Sequence, residues 1–137
     1  MPVKFKSASS GKVFHFNLQW APELFRQWNS ECNNGNQKFK LTKAGVLGYY
    51  IVHVDSGRCV AANAPRATAN GGTHLMVSPN FASVFVFEDA GDCAVRIRLA
   101  DQPQYTVVVD GGKSGTDVVL WPQAGHESDR WYLEAFQ

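Results

Sequence analysis

The chain has 137 residues, of which 45% are hydrophobic, 12% aromatic and 18% charged. That length suits one domain whose core needs no disulfide or metal staple, and the aromatic content excludes a disordered chain. The formal net charge of +1 argues against a nucleic-acid partner, because phosphate recognition needs a basic stripe. There is neither an apolar run long enough to span a membrane nor a signal peptide at the start. We therefore expect a cytoplasmic protein, or one secreted by an unconventional route.

The three cysteines, Cys32, Cys59 and Cys93, form an odd set without the C-x-x-C spacing of zinc sites. At least one of them must be free within the chain. We expect all three to be reduced packing residues, as in cytosolic proteins, while a Cys59–Cys93 disulfide stays open as an alternative. Neither a metal site nor a cofactor is expected.

The first third of the chain is predicted to contain four short strands separated by turns, at residues 4–9, 13–16, 23–28 and 39–41. Gly11 supplies a turn conformation that strand residues resist. The third strand is predicted by analogy with later parts of the chain. The alternative is a short helix beginning at Pro22, since proline is favourable at the first helical position.

The same pattern recurs twice. Strands are predicted at residues 50–55, 59–62, 73–77 and 85–87, and again at 96–101, 105–109, 116–121 and 131–133. The third strand of each set begins with a Gly-Thr pair, Gly72-Thr73 or Gly115-Thr116, and ends before a proline, Pro79 or Pro122. The sequence thus predicts three successive copies of a four-stranded unit.

Residues at the beginning and near the end of these units lie 46 positions apart, whereas the Gly-Thr pairs of the third strands lie 43 apart, and the period of 46 accounts for the whole chain. One set of such residues lies at the beginnings of the units: Phe5, Ile51 and Ile97. A second set lies near the ends of the units, where we expect it to pack in the core: Phe39, Phe85 and Trp131. We predict a single domain, residues 1–137, made of repeats at 3–48, 49–93 and 94–137.

Twelve short strands in three units favour a closed all-β barrel with pseudo-threefold symmetry, because one unit cannot bury its aromatic face alone. This arrangement resembles the β-trefoil.

The third repeat contains Gly111-Gly112, Gly115-Thr116, Leu120-Trp121 and Asp129-Arg130-Trp131 in that order. It resembles a repeat of the ricin-B-type (R-type) lectins, and the turn at residues 10–12 with His15 is similar to the mussel β-trefoil lectins. The resemblance implies a non-catalytic lectin that binds galactose-type sugars. Two features depart from the R-type pattern. The sugar-ligand aspartate is replaced by His15, Ala61 and Val108, and the cystine within each repeat is missing.

A sugar has an apolar C–H face and a rim of hydroxyls, so its site needs an aromatic platform beside fixed polar groups. In the third repeat, Trp121 is the candidate platform, and Asp110, His126 and Asp129 are candidate hydroxyl partners. The alternative is that Trp121 fills the barrel and that the three polar residues are solvated loop residues.

The first repeat offers a second candidate sugar site. His15 occupies the ligand position and Trp28 the platform position, while Asn34 and Gln37 are among the amides nearby. Trp20 is a further aromatic candidate. The alternative places Trp28 in the core with His15 satisfied on a loop. His53 and His74 lie within predicted strands, and we expect structural roles for both.

An enzyme is not expected, because neither H-E-x-x-H nor G-x-S-x-G is present. The segment 111–116 contains Gly-Lys-Ser, but Val107 replaces the first glycine of a phosphate loop. Glycans or glycoconjugates are the expected partners, and a homodimer would raise the avidity of weak sites.

Two other classes of trefoil stay open. A protease inhibitor would present a surface loop to a protease, with Arg66 of the loop at residues 63–68 entering a trypsin-like pocket, or with the loop at residues 29–36. A cytokine-like trefoil is disfavoured by the low net charge, which does not suit heparin-dependent signalling. A cytoskeletal trefoil is disfavoured because bundling filaments ordinarily requires several trefoils in tandem.

Overall fold

The computed structural model of the protein describes residues 1–22, 24–67, 72–109, 114–122 and 128–137, with the backbone alone described at residues 64–67. In the described residues it has twelve β-strands and one short 3₁₀ turn. The elements are β1 (Val3–Ser7), β2 (Val13–His15), β3 (Arg26–Trp28), η1 (Gly35–Gln37), β4 (Phe39–Ala44), β5 (Gly48–His53), β6 (Cys59–Ala67), β7 (Thr73–Ser78), β8 (Phe85–Asp89), β9 (Val95–Leu99), β10 (Gln102–Val109), β11 (Val118–Trp121) and β12 (Arg130–Ala135).

Six of these strands close a barrel, and its pairings repeat with the period of the sequence. Antiparallel pairs join successive repeats with Leu41 opposite Ile51 in β4–β5, Phe87 opposite Ile97 in β8–β9, and Leu133 opposite Phe5 in β12–β1. Within each repeat the first strand also pairs with the fourth, as β1–β4, β5–β8 and β9–β12. The hairpins β2–β3, β6–β7 and β10–β11 complete the three repeats. The predicted all-β trefoil is confirmed.

The core is built from the residues that the period singled out. The set at the beginnings of the repeats, Phe5, Ile51 and Ile97, is fully buried. The set near their ends, Phe39, Phe85 and Trp131, is fully buried as well. Burying large aromatic and aliphatic side chains is the main favourable contribution to folding. The one tryptophan among them also has a polar group, and its Nε1–H donates to the carbonyl of Val107 over 2.9 Å.

The third strand of the first repeat forms, but it is shorter than predicted. β3 covers Arg26–Trp28, and no helix begins at Pro22 in the residues described around it. The strand is fixed from the third repeat: the backbone N–H of Gln27 donates to the carbonyl of Thr116, and its side-chain amide donates to the Thr116 hydroxyl over 2.6 Å. The β2–β3 hairpin therefore lies against the third repeat.

One of the two candidate loops of the alternative inhibitor hypothesis, residues 63–68, is strand as far as Ala67. β6 is this long because it continues to pair with β7 through a shift in register between Asn63 and Ala67. The side chain of Arg66 lies outside what the structure describes.

All three cysteines are free, so the expectation of reduced thiols is confirmed and the Cys59–Cys93 disulfide does not form. The expectation that all three are packing residues is wrong for Cys32 and Cys93, which are exposed. Cys93 lies in the turn between β8 and β9 with a φ of 66°, where its side chain has no core to enter. Cys59 is half-buried, and burial raises the pKa of its thiol. In the described part of the chain, no helix has the length and apolar character needed to cross a membrane.

Candidate functional site

Three aromatic rings of the first repeat lie together beside the β2–β3 hairpin, and we call His15, Trp20 and Trp28 the indole cluster. The His15 ring stacks on Trp28 with ring centroids 5.1 Å apart and planes 26° apart, and it lies 5.4 Å from Trp20. The two indoles are 6.3 Å apart. Both tryptophans are half-buried, whereas His15 is 5% exposed. The cluster therefore presents indole surface to solvent and keeps the imidazole behind it.

The orientation of His15 is set by the buried side chain of Gln37. The Gln37 amide oxygen accepts from the backbone N–H of Glu31 over 2.9 Å, and its amide nitrogen donates to the carbonyl of Asn29 over 2.8 Å. These two contacts identify which end of the amide is the donor. The same nitrogen lies 3.1 Å from Nδ1 of His15, so Nδ1 accepts. The proton of the neutral imidazole is therefore on Nε2.

The imidazole is neutral at physiological pH. Burial lowers the pKa of His15 to about 4, and the Glu31 carboxylate opposes this effect only in part. A neutral Nε2–H is a hydrogen-bond donor without a charge. It suits an uncharged hydroxyl acceptor and needs no counterion.

One charged side chain contacts the indole cluster directly, and a polar one supports it through a loop. The Arg26 guanidinium lies over the Trp20 ring at 5.4 Å from its centroid, and its Nε is 3.7 Å from the Asp117 carboxylate. Asn34 caps η1: its Oδ1 accepts from the backbone N–H of Asn36 over 2.9 Å, and its Nδ2 donates to the Glu31 carboxylate over 2.5 Å. Asn34 thus fixes the segment that holds Gln37, and through Gln37 it supports His15.

The third-repeat candidates are only partly within the described residues, since Asp110 and His126 lie outside them. Trp121 is half-buried and pairs opposite Thr106 in β10–β11. Asp129 is 1% exposed, and its carboxylate accepts from Nε of Arg96 over 2.9 Å. It lies one residue before β12, where Arg130 pairs with Arg96, so its carboxylate is held inside the sheet. A sugar site around Trp121 stays a prediction.

The other two described histidines hold parts of the fold together. His53 is fully buried, with Nδ1 2.7 Å from the Ser56 hydroxyl and Nε2 3.0 Å from the carbonyl of Gly35. Burial lowers its pKa. Nδ1 of His74 lies 3.6 Å from the Asp117 carboxylate. Among the described residues, no group of three His, Cys, Asp or Glu side chains is arranged to hold a metal ion.

Two neighbours of the indole cluster, Arg26 and Glu31, were not among the candidates from the sequence. Arg26 had a detectable signal, because residues two apart on a strand share a face and it therefore accompanies Trp28. Glu31 carried no comparable signal, since its contact with Asn34 depends on the path of a loop.

No protein-family profile matches the sequence. No curated protein sequence matches it either.

Solved structures match the chain over almost its full length. The designed threefold-symmetric protein ThreeFoil is 17% identical with a TM-score of 0.83, and the match covers 98% of this chain and 99% of that one. The ricin B-like lectin of Macrolepiota procera, in complex with lactose, is 19% identical with a TM-score of 0.81, covering 98% and 94%. The agglutinin of Rhizoctonia solani is 18% identical with a TM-score of 0.80, covering 97% and 93%. The chain shares the β-trefoil fold of these proteins, two of which are named as a lectin or an agglutinin.

Proposed function

We propose that the protein is a non-catalytic, carbohydrate-binding β-trefoil lectin that uses the indole cluster of its first repeat as a sugar site. The observation that carries this proposal is the pair of half-buried indoles, Trp20 and Trp28, around a neutral His15. An indole face packs against the C–H face of a pyranose ring. The neutral imidazole and the side chains of Asn34 and Glu31 are the nearby groups suited to hydroxyls.

The nature of the ligand follows from the chemistry of the cluster. Its central donor is uncharged, and the Arg26 guanidinium is already in contact with Trp20 and Asp117, which favours a neutral glycan over a charged one. Two structural neighbours are named as a lectin or an agglutinin, and the lectin's structure contains lactose. We therefore propose a galactose-type sugar as the ligand.

A second sugar site is proposed at Trp121 in the third repeat, with Asp110 and His126 as its polar partners. Asp129 takes no part in it, because its buried carboxylate is held by Arg96. Shallow sites of this kind bind weakly, and avidity comes from two sites in one chain or across a homodimer. We propose the cytoplasm, or the outside of the cell after unconventional secretion, as the place of action.

The test is a glycan array followed by titration calorimetry with lactose. Alanine variants of Trp20 and Trp28 are compared with Tyr132→Ala, a half-buried aromatic of β12. The tryptophan variants are expected to weaken binding at least tenfold, with Tyr132→Ala near the wild-type value. Absence of glycan binding, or unchanged affinity in folded Trp20→Ala and Trp28→Ala proteins, would overturn the proposal.

The role of the imidazole is tested separately with His15→Phe, which keeps a ring against Trp28 and removes the Nε2–H donor. A hydrogen bond to a sugar hydroxyl predicts roughly a five- to tenfold loss of affinity. Unchanged affinity in this variant would show that His15 supports the indoles and donates no hydrogen bond to the sugar.

A further inference from the structure

A groove of about 630 Å³ lies between the second and third repeats, away from the residues of the proposed sugar sites. It is formed by the start of β6, the loop before β8 and the turn between β9 and β10: its lining is Ala62, Ala82, Ser83, Val84, Leu99, Ala100, Asp101 and Gln102. Its volume is in the range of small-molecule sites.

The groove is open because two of the residues around it, Ala62 and Ser83, are smaller than their equivalents 46 positions earlier. At the junction of the first and second repeats the same space is filled by buried side chains. Phe16 stands there in the position of Ala62, Gln37 in that of Ser83 and His53 in that of Leu99. Phe16 packs edge-on against His53 with centroids 5.3 Å apart. No such pair exists at the groove, where alanine and leucine take these two positions.

A difference in loop length has the same effect. Residues 29–38 connect β3 to β4, whereas the shorter segment of residues 79–84 connects β7 to β8. The longer connection contains η1, and the carbonyl of Gly35 in this turn lies 3.0 Å from Nε2 of His53. Gly35 is packed so closely that a Cβ there would overlap the Asp55 carboxylate. The 3₁₀ turn thus closes the first junction, and the shorter connection leaves the second one open.

The groove has an apolar floor and one charged group. Asp101, the equivalent of Asp55, is exposed, and it has neither an ion pair nor a hydrogen bond with any of the described residues. Gln102 beside it is also exposed. Phe81, which precedes the lining residue Ala82, is 69% exposed. An apolar body is therefore accommodated next to an unpaired carboxylate.

We propose that this groove binds a small organic cation, an amine or guanidine carried on an apolar body. The cation lies against the Asp101 carboxylate, and the body covers Ala62, Val84 and Leu99. A neutral sugar would place part of its hydroxyl rim against the apolar floor of Ala62, Val84 and Leu99, which costs free energy. An anion would be repelled by Asp101. This site is independent of the proposed lectin activity.

The test uses three probes of equal length, hexylamine, hexanol and hexanoate, titrated into ¹⁵N-labelled protein and followed by NMR. Hexylamine is expected to bind three- to fivefold more tightly than hexanol, a preference typical of one partly exposed ion pair, and hexanoate more weakly than both. The amide signals that shift are expected to be those of residues 82–84 and 99–102. Absence of saturable hexylamine binding, or shifts confined to other residues, would overturn the proposal.

Two kinds of variant separate charge from shape. Asp101→Asn is expected to abolish the preference for the amine while keeping hexanol binding, and Asp89→Asn, an exposed carboxyl outside the groove, is the matched control. Ala62→Phe copies Phe16 and is expected to abolish binding of all three probes. If Ala62→Phe fails to fold, Ala82→Leu at the exposed rim fills the groove instead. An undiminished amine preference in Asp101→Asn, or undiminished binding in a folded filled variant, would overturn the proposal.

Discussion

Nε2 of Gln37 lies 3.1 Å from Nδ1 of His15, and this contact determines which imidazole nitrogen carries the proton. Gln37 itself is held by the backbone of Asn29 and Glu31. The orientation of the proposed sugar donor is therefore set by a loop that precedes β4, and not by the strand on which His15 lies.

Gln37→Glu is predicted to raise the pKa of His15 above its value of about 4. A carboxylate in place of the amide accepts a hydrogen bond from Nδ1 and stabilises the charged imidazolium. The His15 titration is followed by NMR, with Gln102→Glu on the surface as the control. An unchanged His15 pKa in a folded Gln37→Glu protein would contradict the hydrogen-bond assignment.

The free energy of unfolding is predicted to fall as the pH falls from about 6.5 to about 4. Burial holds the pKa of His15 at about 4 and also lowers that of His53, whereas an unfolded histidine titrates near 6.5. The unfolded state therefore binds more protons in this window, and stability is lost on acidification. His15 alone contributes a loss of about 2 kcal/mol by pH 4.5.

This pH dependence is measured by urea unfolding at pH 7 and pH 4.5. His15→Gln removes the titrating group, so the difference between the two pH values is expected to shrink by about 2 kcal/mol. An equal difference in the variant and the wild type would show that other groups cause the acid loss.

The fold could be predicted from the sequence because the buried positions of a threefold barrel recur along the chain at the period of the repeat. Phe5, Ile51 and Ile97 are equivalent by position and equally buried, and a period is visible without knowledge of contacts. The exposure of Cys93 was not predicted from the sequence. A cysteine is often buried, but here it occupies a turn with positive φ, and its equivalent 46 positions earlier, Leu47, is exposed as well.

The candidate site was predicted less completely than the fold. His15 and Trp28 were identified from their positions in the repeat, and the structure places their rings in contact. The part played by Gln37 as the group that orients His15 was not predicted, because it depends on the path of the loop around η1. The open groove was missed as well, since it results from the joint effect of small side chains and a shorter loop.

Cys32 and Cys93 are predicted to react with a disulfide reagent such as DTNB much faster than Cys59. Both are exposed, whereas burial raises the pKa of Cys59 and so lowers its thiolate fraction. Absorbance under native conditions should show two fast thiols and one slow one. A Cys32→Ser, Cys93→Ser double variant isolates the slow phase, and a fast reaction in that variant would contradict the burial of Cys59.

Trp131→Phe is predicted to destabilise the protein by about 1–3 kcal/mol. Phenylalanine occupies the equivalent positions 39 and 85, so the barrel accepts the smaller ring, but the Nε1–H donation to Val107 is lost. The contact with Phe14, at 4.6 Å between ring centroids, is also reduced. Urea unfolding measures the change, and Tyr132→Phe, on a half-buried neighbour, is the control. Wild-type stability in Trp131→Phe would mean that the hydrogen bond and the larger ring contribute nothing beyond what phenylalanine supplies in the other two repeats.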